Sequence, residues 1–597
     1  MNQSRDPAPV SPDSPAAALR PRGVIGVLAA RLMGADGAKL GGRLVMGATA
    51  LTCVVFLTNA FVLEGAAYAI QDDARQFLAW TVRLADPAAL KGDLIADYWN
   101  SVTPLALRGI YGAFAIIGVS PLVLARLIPV MLLVISALAT WRIALQLTGG
   151  RALAALITAG LTLALLVHED SIFTATARAF SPPLFLLFVD GLLREKRWQM
   201  VVSLGVLAAI YPTTALVGLT MLGLSYLRRQ WPLPVELTRQ SITTVLAATL
   251  AVGAPIALVP GEVSRWEPVM TIADALTMPN LATPGGRSSI VPMAGTPAWL
   301  CSARVGMLPE IFPCWASRWA TLVNLLLLTP LLFLGIRGGL RTWQGGPKSG
   351  DVIYLWATIA GVAWWGVATI FAFKLHLPAR YPQRVLSILE FMAIGQIIGQ
   401  MIDTRLRTAA ASGAAAKGAR AALAVWLGLF ALSFATPTPG IRRPADPGAI
   451  DWIMAASPDL RIGGLSADLD FVPAVTGRST HVTIEHAIPY HLTYFREIDR
   501  RLKATLAAFT TPDAVALARF VTAEKLDVLL IDRAFIADGT VPKDYAGVIA
   551  ADVAQGEAAL ARAPSALQRA AQSCALYRGP GTWVIDAKCL AEPPPAP

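Results

Sequence analysis

The sequence predicts an α-helical polytopic membrane protein of about eleven spans, carrying a C-terminal α/β domain outside the bilayer. Three observations make that prediction. The 597-residue chain is 55% hydrophobic and only 15% charged, with a mean hydropathy of +0.56, a balance that a soluble domain of this length does not reach. Apolar runs of spanning or near-spanning length follow one another between residues 43 and 436. After Pro437 the composition turns polar, and the hydrophobic period becomes that of short strands and amphipathic helices. The formal net charge of +11 does not point to nucleic acid, because the basic residues stand in short clusters between apolar runs. That is how loops retained in the cytoplasm are marked.

In chain order, residues 1–42 show no cleavable signal pattern and are rich in Pro, Ala and Ser, so a disordered cytoplasmic tail is expected. The module 43–436 holds the runs 43–63, 121–146, 152–168, 180–193, 198–211, 213–227, 241–260, 319–336, 351–373, 383–402 and 421–436. Excess Arg and Lys in 194–198, 227–230, 336–348 and 403–420 places those connections in the cytoplasm with the N-terminus. The run 104–120 would invert everything after it if it spanned, so an interfacial or re-entrant helix is expected there. The short runs either side of Tyr211-Pro212-Thr213-Thr214 read as a hairpin of two shallow helices.

The outer side then receives 64–103, 168–180, 261–318, 374–384 and all residues after about 437. Cys301 and Cys314 fall in one outer loop, and Cys574 and Cys589 bracket a Gly-Pro-Gly turn near the C-terminus. Two local pairs suggest two disulfides in an oxidising compartment, while Cys53 reads as a small buried hydrophobe.

The candidate chemistry lies on that outer side. Asp72 and Asp73 follow the first run directly, beside Arg75. Two adjacent carboxylates at this depth repel, so one of them should have a raised proton affinity, as a general base needs. Capping of a helix N-terminus is the alternative role. The connector 374–384 carries Lys374, Arg380 and Arg384 with no acid, on the side where short loops are poor in cations. Arginine presents a planar fork of donors to phosphate oxygens, so a lipid phosphate or pyrophosphate fits there; contact with head groups is the simpler role. Glu169, Asp170 and Arg178 lie in a third outer segment, where Arg178 is either a phosphate ligand or the partner of Asp170. Asp190 and Glu390 fall inside apolar runs, where a structural ion pair is expected, for Glu390 with Arg384.

Acids, cations and an exported domain on one face suggest an enzyme taking a lipid-phosphate-linked substrate from the membrane. A carboxylate would activate an acceptor hydroxyl and cations would stabilise the departing phosphate. A transporter or flippase of a lipid-linked or anionic substrate is the other class, but no internal repeat of the transporter kind is visible.

On Asp72-Asp73-Ala74-Arg75, the segment TARAFSPPLFLLF, the YPTTALVGL hairpin and the connector LPARYPQR, the chain resembles the GT-C superfamily of membrane glycosyltransferases over about 43–436. This group includes protein O-mannosyltransferases and the lipid A aminoarabinose transferase. The resemblance implies a polyprenyl-phosphate-linked sugar donor, a glycan, lipid or protein acceptor, and catalysis at the periplasmic face of a bacterial inner membrane. It implies Asp72 as the first catalytic position with Asp73 second; the residues themselves offer Arg380 and Arg384, with Arg178 and Lys374, as the phosphate site. Many relatives carry a second Asp where this chain reads Arg178-Ala179-Phe180-Ser181, so Glu169 or Asp170 either takes over that role or the role is dispensed with. A divalent cation at Asp72 and Asp73 remains compatible with this reading; no other cofactor is expected.

The C-terminal domain, 437–597, opens on a proline-rich linker. Segments 461–466, 478–486, 526–535 and 582–589 read as strands, and 490–509 and 512–525 as amphipathic helices. His481, Glu485, His486 and His491 do not read as a metal set, since on a strand His481 and Glu485 face away from His486. His486, Tyr490 and His491 are candidates for an acceptor surface.

Overall fold

The computed structural model describes residues 23–227, 238–258, 261–344, 349–408 and 413–591. Residues 1–22 of the expected tail, and parts of the basic connections at 228–230, 345–348 and 409–412, lie outside the described residues. From Gly23 to Met33 the chain is a helix with Ala29 and Leu32 buried, so the second half of that tail is ordered rather than disordered.

Each apolar run expected from the sequence is a helix. Among the described residues, seven helices are long and apolar enough to cross a membrane: Gly37–Phe61, Pro121–Leu147, Arg239–Ala257, Arg318–Trp343, Val352–Ile370, Arg380–Thr408 and Lys417–Ala435. This is the make-up of a multi-pass membrane protein. Four further runs form shorter helices, Ala152–His168, Ser181–Leu193, Arg197–Ile210 and Pro212–Ser225. At about 1.5 Å per residue none of these four reaches the roughly 30 Å of a hydrocarbon core, so about eleven full-length spans are not borne out. The interfacial candidate is the helix Leu105–Ile116, also too short to span.

Ala152–His168 is apolar on every side and almost wholly buried, which is how a helix at the centre of a bundle reads. It packs backbone to backbone on Arg380–Thr408. A Cβ at Gly395 would lie 2.7 Å from Thr158 Cα, and one at Gly399 would lie 2.6 Å from the Ala154 carbonyl oxygen. Glycines four apart let two membrane helices approach this closely. The consequence is positional: the last turn of one helix, leading into 169–178, stands beside the first turn of the other, which carries Arg380 and Arg384. The basic residues Arg151 and Arg407 pair with Asp403 at the opposite ends of the same helices. Asp190 is likewise paired, with Arg142 and Arg194.

The C-terminal domain is built on a five-stranded mixed sheet. Two-residue strands β1 (Ile70–Gln71) and β2 (Ile441–Arg442) pair antiparallel between the exits of the first and last long helices. The sheet proper comprises β3 (Arg461–Leu465), β4 (Ser479–Thr480), β5 (Val528–Asp532), β6 (Ala575–Arg578) and β7 (Thr582–Asp586), in the order β4-β3-β5-β7-β6. Pairs β3–β4 and β3–β5 are parallel, whereas β5–β7 and β6–β7 are antiparallel. Gly464 has φ 153°, and a Cβ there would meet the Leu530 carbonyl oxygen at 2.0 Å, so only glycine fits between β3 and β5. Helices Leu492–Thr510 and Ala514–Ala523 stand where expected. The expected strand 478–486 is the exception: only β4 forms, and residues 481–491 run as an irregular arm to the membrane module. Both disulfides form, Cys301–Cys314 and Cys574–Cys589, and Cys53 is free and buried.

The domain is fastened to the module at several places. Asp93 accepts from Ser479 Oγ at 2.6 Å, and Tyr98 Oη lies 2.9 Å from His491 Nδ1. The loop 261–318 pairs with the arm through Met270 N to the Tyr490 carbonyl at 2.9 Å.

Candidate active site

After the first long helix the chain turns through residues 62–69, and Arg126 grips that turn by donating to the carbonyls of Ala66, Ala67 and Ala69. The short helix Asp72–Phe77 follows, and the oxygen that caps it comes from Gln71, which accepts from Ala74 N at 3.2 Å. Neither aspartate is therefore used as the cap. Neighbouring residues on a helix point about 100° apart, and the two side chains accordingly find different partners. Asp72 Oδ1 lies 2.7 Å from Arg75 Nη2 and 3.5 Å from Arg442 Nε. Asp73 Oδ2 lies 2.7 Å from Arg178 Nε. Burial holds the Asp73 carboxyl above the usual aspartate range, with Asp170 and Asp72 adding to this and Arg178 and Arg380 opposing it.

Arg178 also donates to Asp170 Oδ1 at 3.1 Å, the pairing offered from the sequence as the alternative to a phosphate, and Asp73 is a second acidic partner that the sequence did not suggest. Burial disfavours its charge, but Asp73 and Asp170 outweigh that and keep it firmly cationic. Glu169 stands in the same field. Arg384 donates to Ser171 Oγ and not to Glu390, whose two carboxylate oxygens have no partner among the described residues. The expected Arg384–Glu390 pair is thus corrected: six residues along a helix put side chains on different faces.

Arg380 lies within electrostatic reach of Arg384, Arg304, Arg178 and Tyr211. Arg304 was not singled out from the sequence. It sits in the loop closed by Cys301–Cys314, and Gln383 of the adjacent helix clamps that loop by donating to the Ser302 and Leu308 carbonyls at 3.2 and 3.0 Å. Ala379 N bonds the Arg304 carbonyl at 3.2 Å. Among the described residues, no carboxylate forms an ion pair with Arg304, Arg380 or Arg384, whereas Arg178 has two. Tyr211, from the expected shallow hairpin, faces both Arg178 and Arg380. Lys374 is exposed, in the turn that precedes the helix carrying Arg380. Ala175, Phe373 and His376 take positive φ values of 53°, 67° and 65° in the two segments flanking the group, backbone strain of the kind found at functional sites.

The structure therefore gathers Asp73, Arg178, Arg380, Arg384 and Arg304 around one place, with Asp72 turned to Arg75. It does not bring the acceptor-surface residues to a common surface. His486 is fully buried, with Nδ1 2.7 Å from Thr483 Oγ1; His491 packs on Tyr98; Tyr490 stacks on Phe373. His481 lies against Glu524. These histidines form no ligand cluster among the described residues. The grouping of potential metal ligands there is Cys301, Glu310 and Cys314, and its two sulfurs are already bonded to each other.

No family model matches the chain, and no curated protein matches it. Solved structures do. The apo form of the Archaeoglobus fulgidus oligosaccharyltransferase aligns over 82% of this chain and 70% of its own, at 10% identity and a TM-score of 0.44. The oligosaccharyltransferase AglB from the same organism, in complex with an inhibitory peptide and a dolichol-phosphate, aligns over 86% and 72% at 12% identity and 0.46. The form tethered to an acceptor peptide containing the NVT sequon aligns over the same shares at 11% and 0.44. These neighbours are oligosaccharyltransferases. No residue's role is taken from them.

Proposed function

We propose that this protein is a GT-C-type glycosyltransferase that moves a monosaccharide from a polyprenyl-phosphate donor to an acceptor at the periplasmic face of a bacterial inner membrane. The observation that carries this reading is the juxtaposition of Arg304, Arg380 and Arg384, which among the described residues form no ion pair with a carboxylate although Glu310 stands in the field of Arg380 and Arg304, with a partly buried carboxyl of raised proton affinity, Asp73. Excess positive charge held in a confined place favours an anion, and arginine forks match phosphate oxygens. In the reaction Asp73 takes the proton of the acceptor hydroxyl as its oxygen bonds the anomeric carbon. The bond from that carbon to the phosphate oxygen breaks, and the arginines hold the phosphate that leaves. Arg178, shared between Asp73 and Asp170, aligns the base with the phosphate group. Asp72, the first choice from the sequence, shapes the charge around Asp73.

The orientation rests on the basic residues at the ends of the helices opposite this group, Arg151 and Arg407 among them. The test is transfer from a radiolabelled polyprenyl-phosphate sugar in membranes carrying wild-type protein, Asp73→Asn or Asp72→Asn. Loss of transfer in Asp73→Asn, with a smaller loss in Asp72→Asn, is expected. Full activity in both variants overturns the assignment, and uptake of the sugar lipid into sealed vesicles without a new glycosidic bond would instead mark a transporter.

A further inference from the structure

The sequence places 261–318 outside the bilayer, yet much of this loop does not have the composition of a water-facing connection. The thirty residues 288–317 include only two charged side chains, Arg304 and Glu310. Nor are the large apolar groups all folded inward. Around the Cys301–Cys314 disulfide, Trp299, Phe312 and Trp315 keep 55%, 49% and 41% of their surface uncovered, a patch that needs something to cover it.

The backbone of this segment is held by side chains of three membrane helices. Asn324 of Arg318–Trp343, almost fully buried, accepts from Phe312 N at 3.0 Å and donates to the Phe312 carbonyl at 2.8 Å. Trp365 of Val352–Ile370 donates to the Val305 carbonyl at 2.9 Å. Gln383 of Arg380–Thr408 grips the Ser302 and Leu308 carbonyls. Two of these partners stand well inside their helices. Asn324 lies six residues in from Arg318, and Trp365 five in from Ile370. At about 1.5 Å per residue, that is roughly 9 and 7.5 Å from the helix ends. The segment therefore hangs between the helices at a level where their apolar runs have begun. Backbone groups in water need no such partners, whereas in a leaflet each must find one within the protein.

We propose that segment 299–315 is inserted into the leaflet on the side of the C-terminal domain, docked on lipid through Trp299, Phe312 and Trp315, and that it presents Arg304 to a lipid-borne phosphate at the level of the head groups. The second part rests on the proposed function; the docking does not. Lipid is the occupant because the patch runs on into the uncovered apolar face of Arg318–Trp343, where Trp319, Leu322 and Leu326 are exposed. Tryptophan is also enriched at the boundary between head groups and chains. The shortage of charge over 288–317 leaves the patch without the polar rim of a surface that meets a soluble partner. Arg304 is turned the other way, toward Arg380, with its carbonyl bonded by Ala379 N at 3.2 Å.

The test uses full-length protein carrying fluorine-labelled tryptophan in proteoliposomes. The resonances of Trp299, Trp315 and Trp319 are identified by their loss in Trp299→Phe, Trp315→Phe and Trp319→Phe. Each is then exposed to a lipid with a nitroxide near the top of its acyl chain, and separately to a water-soluble gadolinium chelate. Trp299 and Trp315 should broaden with the lipid nitroxide comparably to Trp319 and be sheltered from the chelate. Broadening by the chelate alone overturns the docking, as does shelter from both agents, which would put a protein partner on the patch. Asn324→Leu strands the Phe312 backbone, so in a leaflet the segment should be expelled and Trp315 should come within reach of the chelate. A Trp315 that stays put in the correctly folded variant overturns insertion to that depth. Transfer of the radiolabelled sugar on the same samples keeps the two proposals apart. Docked tryptophans without transfer in wild type remove the glycosyltransferase reading and keep the insertion; transfer with tryptophans reached only by the chelate does the reverse. A donor KM that rises several-fold in Asn324→Leu is expected from the loss of Arg304 at the phosphate, and an unchanged KM overturns that part.

Discussion

Replacing Arg178 by Gln removes the cation that joins Asp73 to Asp170. The side chains of Arg178 and Asp73 are only 18% and 21% exposed, and their contact is 2.7 Å. Breaking a fully buried pair from one side costs about 3–5 kcal/mol, because it strands the other charge. With a fifth of each side chain in contact with water, about 2–3 kcal/mol is the corresponding figure here. The effect on the reaction is larger and has a sign. Asp73 already holds its proton more tightly than an ordinary aspartate, and Arg178 is the main opposing influence. Losing it raises that affinity further, so less of the base is free at a given pH and the acid limb of the rate moves to higher pH. Loss of one positioned charge in a water-poor site lowers turnover roughly 10²–10³-fold. The assay is single-turnover transfer of labelled sugar in proteoliposomes from pH 5 to 9, with Arg178→Lys beside Arg178→Gln. Lysine restores charge but not the fork, so it should recover the pH limb more than the rate. An Arg178→Gln enzyme within twofold of wild type and with an unmoved acid limb would refute the coupling of Arg178 to Asp73.

The remaining expectations concern the frame around that group. Replacing Cys301 and Cys314 by Ser frees the loop carrying Arg304; opening a loop of this length costs about 3 kcal/mol, so thermal stability should fall and the KM for the donor should rise while the acid limb stays in place. Glu390→Leu removes a fully buried acid with no partner among the described residues and should leave stability unchanged or raise it by about 1–3 kcal/mol, read as the melting temperature in detergent. Glu485 provides a pH signature. Burial, against Arg287 and Arg75, pushes its carboxyl up to about 7 from 4.5, so the folded state holds this proton more tightly than the unfolded one. Its contribution to stability is then full below pH 4.5 and is lost as pH rises through 7. Melting temperatures between pH 4.5 and 8 should fall more steeply in wild type than in Glu485→Gln.

How much of this was legible differs from residue to residue, for physical reasons. Helices came through because hydrophobic period and run length are local properties, and every run from 43–63 to 421–436 is a helix. The cysteine pairs came through because each is separated by a short stretch, 13 and 15 residues. Spanning length did not, because a helix buried among its neighbours is as apolar as one that crosses lipid; Ala152–His168 is the case in point. The choice between Asp72 and Asp73 was beyond the sequence, since two adjacent identical side chains differ only in what faces them. Arg75 and Glu485 meet across 410 positions, and nothing local to either announces the other. The stretch 478–486 has the alternation of a strand, yet its carboxylate and carbonyl partners lie in the membrane module and take it out of the sheet. One signal was present and informative, the spacing Gly395-Gln-Ile-Ile-Gly399. In the fold it lets Arg380–Thr408 lie directly against Ala152–His168, and so sets which of their ends stand side by side.

The pairing of β1 with β2 has a consequence for biosynthesis. Asp72 N bonds the Gly440 carbonyl at 3.0 Å, Arg442 reaches Asp72, and Arg443 reaches back to the Asn59 carbonyl. The acidic helix leaves the ribosome early, but its backbone and charge partners are translated only after the last long helix, and Glu485 later still. A nascent chain with every helix but the last inserted holds Asp72 and Asp73 without the contacts that orient them. On the proposed function, chemistry at this site would therefore begin only when insertion is complete, and a product stopped short of residue 440 would be threaded into the membrane yet inert.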